Sequence, residues 1–105
     1  MFDINQLMKQ AQEVQGKMKL MQESLARKHI TADAGDGMVQ ATVNGKLELL
    51  KLKIDKTRID IRDVELLEDA IVAAVAAAQN RANENMKQEM QKAAGEMGIP
   101  PGMLG

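Results

Sequence analysis

A chain of 105 residues with 14 Lys and Arg, 15 Asp and Glu, a single Phe and neither Trp, Tyr nor Cys is the size of one domain, and it buries only about two-thirds of its unfolded surface. Without Cys there are no disulfides, thiolate metal sites or cysteine nucleophiles, which suits a reducing compartment, and without Trp or Tyr there is no stacking platform for single-stranded nucleic acid. The near-balanced charge does not by itself argue for nucleic acid, as a strongly basic domain would. No stretch reads as a signal peptide, and the longest apolar run, Ala70 to Ala78, is far short of the roughly 20 residues that span a bilayer, so the protein is expected to be soluble and cytoplasmic.

Residues 3–28 predict the first helix. Asp3 is placed to cap it, Gln6 to return the bond as a capping box, and Phe2 to pack on Leu7 as a hydrophobic staple. Ile4, Leu7, Ala11, Val14, Met18, Met21 and Leu25 recur at alternating spacings of three and four, a stripe that wants a helical partner along its whole length. Glu13 with Lys17, and Glu23 with Arg27, add i,i+4 pairs of the favourable polarity.

Residues 29–34 follow as a short strand, with Ile30 and Ala32 alternating against Thr31 and Asp33, and Gly35-Asp36-Gly37 turns the chain into strands over about 37–44 and 46–54. Asn44-Gly45 predicts a two-residue type I′ hairpin. Its register pairs Val43 with Lys46, Ala41 with Glu48 and Val39 with Leu50, so that Val39, Ala41, Val43, Leu50, Leu52 and Ile54 share one face. Leu47 and Leu49 then fall beside Gln40 and Thr42 on the other face, which needs a cover.

A charged connector, 55–62, leads into a second helix over 63–97, ended by Gly98 and sealed by Pro100-Pro101-Gly102 before a flexible tail at 99–105. Leu67, Ile71, Val75, Ala78, Ala82, Met86, Met90, Ala93 and Met97 form its stripe. At about 50 Å such a helix is longer than a domain of this size is wide, so it projects or is covered by another subunit. Ala70, Ala74 and Ala77 lie where it is apolar on every side, and with Leu47 and Leu49 they are the expected dimer interface. The fold class is α+β: an α-β-β-β-α protomer with a three-stranded antiparallel sheet and two long helices, forming a single domain at 1–98.

Charge is unevenly spread. Residues 1 to 30 carry Lys9, Lys17, Lys19, Arg27 and Lys28 against Asp3, Glu13 and Glu23, whereas residues 54 to 69 carry six acidic side chains against three basic ones. Nothing assembles a catalytic site: there is one histidine, His29, one serine, Ser24, on a helix, and no glycine-rich phosphate loop. No cofactor, metal, membrane or small-molecule substrate is expected, and Asp33 and Asp36 around Gly35 form a turn without the further carboxylates of a calcium loop.

The Met- and Gln-rich first helix, Gly35-Asp36-Gly37-Met38-Val39, Val43-Asn44-Gly45, Ile54-Asp55, Leu67-Glu68-Asp69 and Pro100-Pro101-Gly102-Met103 together resemble the YbaB/EbfC family of bacterial nucleoid-associated proteins, in order and over nearly the whole chain. The resemblance implies a homodimer whose helices protrude like the arms of tweezers, located in the cytoplasm at the nucleoid, that binds double-stranded DNA with little sequence preference and compacts or bends it. It turns Lys9, Lys17, Lys19, Arg27 and Lys28 from a solvated helix face into phosphate contacts, joined by Arg81, Lys87 and Lys92 from the second helix. Where the family usually carries an Asn-Asp pair and a basic run, this chain has Ala76-Ala77 and Gln79-Asn80-Arg81, which lowers the share expected of the second helix. Two other classes fit the same elements: a prefoldin-like holdase working through exposed methionines, and a dimeric adaptor for another protein, the latter consistent with a pI of about 5.8.

Overall fold

The computed structural model describes residues 3–96 and Gly98. In chain order they form α1 (Ile4–Arg27), β1 (Ile30–Ala34), β2 (Val39–Val43), β3 (Leu49–Ile54) and α2 (Val64–Glu96). The strands make one antiparallel sheet in the order β1-β2-β3. This is the α-β-β-β-α, α+β arrangement expected from the sequence. Phe2, Met97 and the Pro-rich tail lie outside the described residues.

Local chemistry sets the helix starts. The Asp3 carboxylate accepts from the Asn5 N–H at 3.0 Å, and Asp63 accepts from Leu66 N–H at 3.1 Å, so each helix has an acidic cap on its first turn. Between sheet and α2 the connector is held by the same kind of side chain. Asp55 accepts from the backbone and hydroxyl of Thr57, and Asp60 accepts from the Arg62 N–H.

The core lies between the sheet and the first half of α2. Ala70, Ala74, Ala78 and Ala82 are buried against Ala32, Val39, Ala41 and Val43. A ridge at every fourth residue lets the helix sit close on a surface that is itself built of small side chains. Leu67, Ile71 and Val75, from the expected stripe, flank this ridge and are only half-buried. Gly35 belongs to the same close approach: its φ is +64°, and a Cβ there would stand 3.3 Å from the Met38 Cβ and 3.5 Å from the Ala70 Cβ.

The predicted hairpin is corrected in its turn and register. Val39 faces Ile54, Ala41 faces Leu52, and Val43 faces Leu49 across a bulge at Thr42/Val43. Asn44 does not supply a type I′ turn. Its side chain accepts from the N–H groups of Lys46 and Glu48, both at 3.0 Å, and the left-handed residue of the loop is Leu47, with φ 68°. A five-residue loop therefore replaces a two-residue one, and the third strand starts at Leu49. The slip along Val39 to Thr42 is an even number of residues, so Leu52 and Ile54 keep the core face although every cross-strand neighbour changes.

The slip also corrects the outer face. Leu47 packs toward the core from the loop, and the side chains beside Gln40 and Thr42 are Lys53 and Lys51. Because α2 lies chiefly over β1 and β2, the inner side of β3 is poorly covered, leaving Leu49 48% and Leu50 47% exposed.

Candidate nucleic-acid interface

The molecule measures 73 × 27 × 17 Å, and the helices account for its length. Beyond Ala82, α2 runs past the sheet, and the last turns of α1 lie beside it in the opposite direction. Met21 and Leu25 face Met86, Glu89, Met90 and Ala93 across an apolar groove of about 280 Å³. At its base Lys28 bonds the Glu89 carboxylate and the Asn85 side-chain oxygen. Gly45 seals the joint: its N–H donates to the Leu25 carbonyl at 2.8 Å, so tightly that a Cβ on Gly45 would stand 2.8 Å from that same oxygen.

The remainder of α1 is an arm without a buried residue. Its apolar stripe is bare, with Ile4 69% and Val14 55% exposed, and Leu7 and Met18 open beside them. Lys9, Lys17, Lys19 and Arg27 are all exposed. At about 100° per residue, Lys9 and Arg27 point away from the stripe, while Lys17 and Lys19 flank it on opposite sides. These four therefore form no single row. They can touch phosphate backbones on either side of the arm.

Two of the eight expected phosphate contacts have partners within the protomer. Lys28 is tied to α2 as described, and the Arg81 guanidinium donates to the Thr31 carbonyl at 2.8 Å, fastening α2 to the edge strand. Lys87 and Lys92 are exposed on the projecting half of α2. The expected dimer surface divides in the same way. Ala70 and Ala74 are buried in their own protomer's core, a correction forced by the alanine ridge, while Ala77 and Leu47 are half-buried and Leu49 is open.

Lys51 and Lys53 are basic residues that the helix-centred reading passed over. The signal was in the sequence, since Lys51 and Lys53 alternate with Leu50, Leu52 and Ile54 at strand period. An open cleft of about 530 Å³ adjoins Lys53, lined also by Asp33, Gly37, Gln40, Ile54, Asp55, Lys56 and Thr57. The Asp55 carboxyl is held below its ordinary range, first by the Thr57 hydroxyl and then by the Thr57 N–H and Arg58, and that of Asp60 by Arg62. Among the described residues no cluster of His, Asp and Glu is arranged to hold a metal ion, and no helix is long and apolar enough to cross a membrane.

Known proteins agree with this geometry. The model of the YbaB/EbfC DNA-binding family matches residues 1–97. Nucleoid-associated protein Teth39_2199 of Thermoanaerobacter pseudethanolicus is 46% identical over 99 residues, covering 94% of this chain and 89% of its own. Nucleoid-associated protein amb4104 of Paramagnetospirillum magneticum is 47% identical over 102 residues, covering 97% and 95%. The crystal structure of the uncharacterized protein HP0035 from Helicobacter pylori shares the fold, with a TM-score of 0.71 at 24% identity over 86% of this chain and 95% of that one. With its bare basic arm, its alanine-packed sheet and these matches along nearly its full length, the chain belongs to the YbaB/EbfC DNA-binding family.

Proposed function

We propose that the protein acts as a homodimer on double-stranded DNA at the nucleoid, gripping phosphates with the α1 arms and reading little sequence, and that it alters DNA conformation and so nucleoid organisation, gene expression and DNA protection. The observation that carries this is an arm with an unpartnered apolar stripe and lysines on both flanks. A stripe of that kind needs a second copy, and flanking lysines suit backbone contact more than base readout. Leu49 and Leu50 on the poorly covered β3 extend the surface available to that copy.

Lys9, Lys17 and Lys19 are the principal contacts, Arg27 an outlying one, and Lys87 and Lys92 secondary. About 4 to 6 phosphates per dimer give an expected slope of log affinity against log salt of roughly −4 to −5. Fluorescence anisotropy with two unrelated duplexes across a salt series tests the reading. Similar affinities that fall along this slope are expected, and a folded K9E/K17E/K19E dimer loses binding. Unchanged affinity in that variant would remove the proposed surface.

The Met-lined groove favours one second reading, a holdase that takes apolar segments of other proteins. It predicts client binding indifferent to salt and no affinity for duplex DNA at low salt.

A further inference from the structure

The outer face of the sheet takes no part in the core or the arm. Two rows of side chains cross it, Asp33-Gln40-Lys53 and Thr31-Thr42-Lys51, given by the strand register. The lysines are exposed, and Thr31 and Thr42 share a hydroxyl hydrogen bond at 2.9 Å. Lys51 and Lys53 are two positions apart on one strand, so their Cα atoms are about 6.6 Å apart and lean to the same side. Along the DNA axis that interval corresponds to a rise of about two base pairs, at 3.4 Å each. Lys56, in the turn after β3, lines the same open cleft as Lys53. The nearby Asp55 carboxylate is engaged by Thr57 and Arg58, which leaves Asp33 as the acidic group of the two rows.

We propose that this face is a second DNA-phosphate surface, centred on Lys51, Lys53 and Lys56, that takes a second duplex while the arms hold the first. The inference rests on the DNA reading above and adds to it the ability to bridge. Charge complementarity names the occupant, since three lysines with hydroxyl and amide donors beside them suit a phosphate backbone. Position separates the two surfaces. The arm leaves the body at the loop before β3, whereas Lys51 and Lys53 stand on the outer face of that strand, about 7 and 13 Å along it from Leu49.

The test is capture of a fluorescent duplex by an unrelated duplex fixed to beads, with the full chain as the link. K51E/K53E is expected to reduce capture at least tenfold while changing the affinity for one short duplex in solution less than twofold. K51Q/K53Q, which removes charge without reversing it, should reduce capture in the same direction and guards against misfolding, checked by circular dichroism. Undiminished capture in a folded variant overturns the proposal, as does a single-duplex affinity that falls in step with capture. Wild-type protein that binds one duplex but never links two overturns it as well. Wild-type protein that binds no duplex at low salt instead refutes the DNA reading itself, and the second surface falls with it.

Discussion

Asn44 does more for this fold than its place in an Asn-Gly pair suggests. It is only 3% exposed, accepts from two loop amides and donates to the Glu48 carboxylate at 2.9 Å. Asn44→Ala strands those two N–H groups and is expected to cost about 1–3 kcal/mol in urea unfolding. The neighbouring Gly45→Ala acts on a different link, because its Cβ collides with the Leu25 backbone. Its expected signature is faster amide hydrogen exchange in the last turn of α1, with the sheet unchanged. Asp55 supplies a pH test. Its folded-state pKa is depressed, chiefly by the Thr57 hydroxyl, so the stability it contributes is present above the unfolded value and lost as pH falls through the folded one. The difference in melting temperature between wild type and Asp55→Asn is therefore expected at pH 7 and to shrink below about pH 4.

At the level of elements, the alanine ridge of α2 is the most demanding piece of packing. Ala78 is fully buried between helix and sheet, so Ala78→Leu forces the two apart and is expected to cost about 1–3 kcal/mol, whereas Val72→Leu on the exposed side of the same helix should leave the melt unchanged. That ridge was legible only in part: Ala78 and Ala82 lie in the expected stripe, but Ala70 and Ala74 were assigned to a dimer interface and not to the protomer's own core. Alanine carries little hydrophobic signal, and the eye follows Leu67, Ile71 and Val75, which turn out to flank the contact. The helices, the three strands and the cap at Asp3 were legible because periodicity and capping are local. The hairpin register was not, because it depends on Asn44 spending its side chain on the loop and on Leu47 accepting a left-handed backbone, which no turn rule assigns to leucine. Among the candidate contacts, the exposed lysines of α1 were legible from their offsets to the stripe. The tertiary partners of Lys28 and Arg81 come from 50 or more residues away in sequence and left no trace in their own neighbourhoods.

For the whole molecule, elongation is the governing fact. A body with β3 half-covered and an arm with its stripe bare leave apolar surface that a single copy cannot bury. Placing charge at the first of these, with L49K/L50K, is expected to shift the species seen by light scattering from twice 11.5 kDa to 11.5 kDa and to weaken DNA binding through loss of paired arms, while the protomer's circular dichroism persists. A dimer unaffected by this change would place the subunit contact on the arms instead.

The seam between Gly45 and Leu25 has a mechanical meaning. The helix from Leu25 back to Ile4 is about 32 Å long, so a rotation of about 10° at the seam sweeps the free end through roughly 5 to 6 Å. A lever of that ratio makes the reach of the arms a property of the hairpin loop rather than of the lysines they carry. Stiffening or loosening that one backbone contact would shift the position of the free end without changing any charged side chain in the sequence.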